Sequence, residues 1–186
     1  DPLIEAESVE LVHRPTLVRA MKSKSIGLGG GSAMTAVNGQ LQVGPKRLGA
    51  CMAQGGSCPT LVDALNCVKS FSYGDTQASD RGMKELGAAV GQSCEDVSWE
   101  VIRSACERIR EETAQMLDEI NERPVYTVHE LLEYRKIQPR KIYLMGGPAK
   151  VLAPFLSKVF GMAVLVPDNY AVANALGAAL AKPTMQ

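Results

Sequence analysis

The stretch from 141 to 182 constrains the fold more than any other part of the chain. KIYLM (141–145) is a short apolar run, Gly146-Gly147-Pro148 follows it, and a helical pattern runs over 148–160 to Gly161. AVLVP (163–167) is a second apolar run. NYAVANALGAALA then reads as a closing helix, capped by Asp168 or Asn169. Two buried strands joined by a helix predict a parallel pair with a right-handed crossover.

The first quarter of the chain predicts the opposite pairing. SVELV (8–12) and TLVRAM (16–21) read as strand fragments, and SIGLGGGSAMTAVNGQLQVGP (25–45) holds three consecutive glycines and an Asn38-Gly39 step. Asn-Gly between two β-prone runs signals a hairpin, because both residues tolerate positive φ. Strands over 32–37 and 40–43 are therefore expected to pair antiparallel. A hairpin first and a strand–helix–strand unit last give an α/β chain, a mixed sheet with flanking helices.

Between them the pattern is helical. Residues 46–59 read as loop. Thr60 caps a short helix with Leu61, Ala64, Leu65 and Val68 on one face and Asp63 in its first turn. Residues 72–79 read as polar loop, and 80–90 as helix ending at Gly91. The longest helix is expected from Ser98 to Arg123, its apolar face carrying Val101, Ala105, Ile109, Met116 and Ile120. Pro124 ends it, and Thr127 with Glu130 forms a capping box for a helix to Arg135.

At 186 residues the chain is read as one domain, 1–186, with peripheral strands in 1–24, the glycine-rich hairpin and loop in 25–70, helices in 80–136 and the strand–helix unit in 141–182. It begins Asp1-Pro2, which suggests a piece of something longer. A formal net charge of zero gives no support for a nucleic-acid or anionic-membrane partner, and no run is long and apolar enough for a membrane helix. The five cysteines show no CxxC pair and no metal spacing; Cys51 and Cys58, the closest two, have six residues between them. They are expected to be mostly buried thiols in a reducing, cytoplasmic setting. No metal ligand set is expected.

Several residues carry two readings each. Gly29-Gly30-Gly31-Ser32 either faces a ligand or turns a corner into the hairpin, and Ser32 is its only side chain able to hydrogen-bond a substrate. Gly146-Gly147 sits where open α/β sheets bind ligands, at the carboxyl end of a strand, or is a tight strand-to-helix connection. Asp63 positions a substrate or a metal, or caps its helix. Lys46-Arg47 meets an anion or is solvated. Cys51 and Cys58 bracket a glycine turn without a base near them in sequence, and His129 reads as a surface residue. Gly177 and the alanines around it give the last helix a small face, for close packing or for a nucleotide base, and Asn174 there is expected to be a partnered amide. Gly29–Gly31 lacks the spacing of a dinucleotide fingerprint, and no Gly-Lys-Ser/Thr follows to make a Walker loop.

Taken in order, SIGLGGGSAM, NGQLQVGP, GG-Ser57-CPTLVDAL and YLMGGPAK…VLVP…VANALGAALA resemble the hydantoinase A/oxoprolinase family from about 25 to 182. The resemblance implies the ATPase fold of actin, sugar kinases and heat-shock chaperones, with this chain a ribonuclease-H-like C-terminal lobe. It implies adenosine contact at Gly146, Gly147, Pro148 and Ala149, and a substrate-facing surface at Gly29, Gly30, Gly31, Ser32 and Asp63. It implies ATP and Mg²⁺ in the complete protein, used to open a cyclic amide of hydantoin or 5-oxoproline type. The family's phosphate-binding turns, with their acidic residues, lie upstream of SIGLGGGS and are not found in this chain, so the lobe is expected to be inactive alone, its partner the N-terminal lobe of the same protein, and its catalytic residues unassigned. Homo-oligomer or subunit contacts are also open. Thr60-Leu61-Val62-Asp63 has valine where the family has a second threonine. The competing reading is a non-catalytic relative, a reactivating or assembly factor in which nucleotide switches a partner interface.

Overall fold

The computed structural model describes residues 23–122 and 136–180, together with the backbone of four two-residue strands nearer the start. Strand β1 (Ile4–Glu5) pairs antiparallel with β4 (Ala20–Met21), and β2 (Glu10–Leu11) with β3 (Arg14–Pro15). The helix expected over 127–135, and both histidines, lie outside the described residues.

The hairpin forms as its turn dictates. Strands β5 (Met34–Val37) and β6 (Gln40–Val43) pair antiparallel with Met34 opposite Val43 and Val37 opposite Gln40. Asn38 and Gly39 both take positive φ, 51° and 74°, the turn whose twist matches a two-residue hairpin. The expected single mixed sheet does not form among the described residues, where every sheet has two strands. The loop entering the first helix takes the outer edge of β5: Ala33 bridges Thr60, and the Met34 N–H donates to the Pro59 carbonyl at 2.9 Å. That edge is therefore filled before another strand can reach it.

Helix α1 (Leu61–Cys67) packs on α2 (Thr76–Val90) and α3 (Cys94–Asn121). Both longer helices begin earlier than the sequence pattern suggests, because their caps lie in polar stretches. The Asp75 carboxylate accepts from the Gln77 and Ala78 N–H groups, so α2 starts at Thr76 and not at 80. The Ser93 hydroxyl accepts from the Asp96 N–H at 3.1 Å, so α3 starts four residues before Ser98. Gly91 closes α2 in the left-handed conformation, as expected. The loop over 46–59 contains one 3₁₀ turn, Met52–Gln54. The core gathers Met34, Leu61, Leu65, Met83, Val97, Val101 and Ile102 from these elements, with Leu152 and Leu156 from α4 (Ala149–Phe160).

The terminal unit has the expected order but not the expected burial. Strand β7 (Ile142–Tyr143) pairs parallel with β8 (Val164–Leu165), and α4 connects them. Both runs were expected to be buried; instead Tyr143 is 61% and Met145 57% exposed. Leu144 and Val164 face the core on the α4 side, and nothing described covers the other side. The last helix, α5 (Ala173–Leu180), buries none of its residues, and Asn174 is exposed rather than a partnered buried amide.

The cysteines also depart from expectation. Cys67, at the end of α1, and Cys94, at the start of α3, are joined as a disulfide; Cys51, Cys58 and Cys106 are free. The two helix ends meet through tertiary packing, which cysteine spacing does not reveal.

Burial pushes the Cys106 thiol from 9.0 up to about 11, and the neighbouring Glu107 charge adds to the effect. The unfolded thiol ionises first as pH rises, so this group's contribution is intact below pH 9 and is lost as pH climbs through about 11. Urea unfolding across that window is expected to show a loss of up to about 2–3 kcal/mol that is absent in Cys106→Ala.

Candidate functional site

The first glycine turn is closed by its own groups. The Ser32 N–H donates to the Gly29 carbonyl at 3.0 Å, and the Gly29 N–H donates to Ser32 Oγ at 2.9 Å. Ser32 is buried, so its hydroxyl is turned into the turn and does not reach toward a substrate. What the turn presents is its tip. The Gly30 carbonyl accepts from the Val62 N–H at 3.2 Å, which ties the tip to the first turn of α1.

The second glycine turn meets the first. A Cβ on Gly30 would lie 3.2 Å from Pro148 Cγ and 3.3 Å from Val62 Cγ2, so the turns are in contact and a side chain there would press both neighbours outward. Gly146 takes φ 109° and donates its N–H to the Tyr170 carbonyl at 2.8 Å. Ala149 is buried, its N–H bonded to the Gly146 carbonyl. A Cβ on Gly147 would touch nothing. Of the four residues expected at a nucleotide, Gly147 and Pro148 therefore line the open space, while Gly146 and Ala149 build the turn behind them.

Between the turns lies a cavity of about 290 Å³, walled by Gly30, Gly31, Gly147 and Pro148 and rimmed by Arg47, Gln54 and Tyr73. Among the described residues no carboxylate lines it. Arg47 is exposed beside Gly31 and makes no hydrogen bond or ion pair among the described residues. The start of α4 faces the same space through Pro148. A free guanidinium, backbone without Cβ and a helix N-terminus together suit an anionic or planar polar group. Cys51 also borders the cavity. Its thiol is raised above 9.0 by burial first and by the Asp63 charge second, so it is held protonated and is not an activated nucleophile. Cys58 donates toward the Met34 carbonyl at 3.3 Å.

Asp63 does not face this cavity, contrary to the expectation of a substrate contact. It is fully buried. Its Oδ2 accepts from the N–H groups of Met52 (3.1 Å) and Thr60 (2.8 Å) and from the Thr60 hydroxyl (3.0 Å). Its Oδ1 accepts from the Ala53 N–H (3.0 Å) and the Ser79 hydroxyl (2.7 Å). The physical reason is donor supply: five donors converge on two oxygens, leaving the carboxylate no capacity for a ligand. The network continues outward. The Asn66 amide donates to Ser79 Oγ and to the Tyr73 carbonyl, each at 2.9 Å, and accepts from the Tyr73 N–H. Gln54 Nε2 donates to the Tyr73 hydroxyl at 2.6 Å. Gln54 and Tyr73, both in segments read as loop, are the rim residues that sequence reasoning missed; only the fold carries them to the glycine turns.

The chain is an α/β unit whose two glycine turns abut around a cavity that no described carboxylate lines. The hydantoinase/oxoprolinase family model matches residues 3–186, and the chain belongs to that family. In structure it is similar to nucleotide-free acetone carboxylase, a protein described by ATP-dependent acetone carboxylation, with a TM-score of 0.72 and 18% identity over 97% of this chain. It is similar also to the ATP-dependent caprolactamase of Pseudomonas jessenii, with a TM-score of 0.62 and 24% identity over 86% of this chain. The chain spans 26% and 24% of the length of those two proteins. No curated protein matches it. No described helix is long and apolar enough to cross a membrane.

Three substitutions separate the glycine turns from the buried carboxylate. Asp63→Asn is expected to lower unfolding free energy by about 3 kcal/mol or more, since it places amide protons against converging donors in a buried site; chemical denaturation measures it. Gly30→Val is expected to unpack the two turns and destabilise the chain by about 1–3 kcal/mol, whereas Gly147→Val, which meets open space, leaves the melting temperature near that of the parent.

Proposed function

We propose that this chain is the C-terminal lobe of an ATP-dependent enzyme that opens a cyclic amide of the hydantoin or 5-oxoproline type, and that the cavity between the glycine turns is this lobe's share of its active site. The single observation that supports the reading is the contact between Gly30 and Pro148, by which the turn read as substrate-facing and the turn read as nucleotide-facing border one cavity. The ribonuclease-H-like character of the lobe is part of the same proposal.

The chemistry explains the lining. An amide carbonyl is a weak electrophile, and ATP supplies the phosphoryl group that turns its oxygen into a leaving group. Gly147 and Pro148 give the nucleotide a surface without protruding side chains. Arg47 offers a bidentate fork to a phosphate or to the carboxylate released by ring opening. Mg²⁺ is a poorer fit to these residues, because Asp63 is saturated and no other carboxylate borders the cavity; in this reading its ligands come from the N-terminal lobe. The exposed apolar side chains Leu176 and Leu180 of α5, Tyr143 of β7 and Met145 just beyond it are where that lobe would pack.

Backbone NMR of the chain titrated with Mg-ADP tests the reading. Shifts are expected at 30–31, 47 and 146–149, and their loss is expected in the folded Gly147→Val variant. Shifts confined to other segments, or none at millimolar nucleotide, would overturn the assignment of this cavity to nucleotide.

A further inference from the structure

A second cavity, about 490 Å³, opens between the end of α1 and the start of α2, away from the glycine turns. Cys67 and Asp80 line it, and Cys94 stands behind Cys67 as its disulfide partner. The two sulfurs and a carboxylate oxygen of Asp80 all lie within 4.8 Å of one another. Three elements supply the three groups: the last residue of α1, the first of α3 and the first turns of α2.

Three electron-rich atoms converge there, in a cavity that Lys69, Ser70, Ser72 and Thr76 also line. Asp80 makes no hydrogen bond or ion pair among the described residues, although its neighbour Arg81 reaches Asp75 at 3.9 Å. A disulfide carries no proton to offer the carboxylate. A cation between the groups would satisfy all three at once. Two thiolates and one carboxylate are a donor set for zinc, with a fourth tetrahedral position left for water.

We propose that the reduced chain binds one zinc-type divalent ion through Cys67, Cys94 and Asp80, with the fourth position open to the 490 Å³ cavity. Reduction of the disulfide by a phosphine and water gives two thiols and the phosphine oxide, and ion binding then releases both thiol protons. The remaining cysteines do not form a competing cluster: Cys51 and Cys106 are buried singly, and Cys58 lies against the Met34 carbonyl. The ion would join the ends of α1 and α3 as the disulfide does, so the site has a fixed frame in both states.

The test uses the 186-residue chain, reduced with a phosphine and freed of reagent without air, then titrated with Co²⁺ as a spectroscopic probe. One equivalent is expected to produce a thiolate-to-cobalt charge-transfer band and the visible bands of tetrahedral cobalt, both removed by one equivalent of Zn²⁺. Air-oxidised chain and Cys94→Ser are expected to give neither, with circular dichroism confirming that the variant is folded. Asp80→Asn, its fold checked by circular dichroism in the same way, is expected to weaken Zn²⁺ binding by more than the ~10-fold that loss of an outer partner costs a zinc site. A reduced chain without the band, a band that survives Cys94→Ser, or Asp80→Asn binding as tightly as the parent would each overturn the proposal.

Discussion

One buried carboxylate organises this fold. Asp63 has no exposed surface, yet it sits at the first turn of α1, where the N-terminal end of the helix favours negative charge. Its five donors come from three places in sequence: the 3₁₀ turn at Met52 and Ala53, the cap at Thr60 and the α2 side chain Ser79. A buried charge survives only where hydrogen bonds replace the water it has lost. Here that requirement binds the loop before α1, the start of α1 and the body of α2 into one unit.

The cavity depends on that unit. With α1 held by its first turn, the Val62 N–H is presented to the Gly30 carbonyl, and the glycine tip is fixed against Pro148. The same polar chain runs from Asp63 through Ser79 and Asn66 to Tyr73 and on to Gln54 at the cavity rim. Fully satisfied networks of this kind set one arrangement against alternatives, because leaving any member unpaired is costly. The first glycine turn thus both turns a corner and faces open space. Ser32 does the first task, Gly30 and Gly31 the second.

What could be read in advance follows the range of the interactions. Asn38-Gly39 set the hairpin because a turn's φ angles are local, and Gly91 and Gly161 ended their helices for the same reason. The family resemblance, carried by ordered glycine motifs, agreed with the family match across the chain. The starts of α2 and α3 were missed although Asp75 and Ser93 are ordinary caps, because the apolar periodicity begins only after them. Of the two readings of Asp63, the capping one holds and the substrate contact does not. A carboxylate in a first helical turn looks the same in sequence whether it faces water or five donors. The disulfide, the exposed faces of β7 and α5, and the rim position of Tyr73 all depend on long-range packing and leave no local mark.

The central claim is that the two glycine turns touch. The most direct measurement is a nuclear Overhauser spectrum of the labelled chain, read between the Gly30 α-protons and the ring protons of Pro148, with the Val62 methyls as internal reference. The account predicts cross-peaks from Gly30 to both Pro148 and Val62, in keeping with separations of 3.2 and 3.3 Å from the Gly30 Cβ position. A cross-peak to Val62 without one to Pro148 would show the first turn seated on α1 but apart from the second, and would contradict a shared cavity.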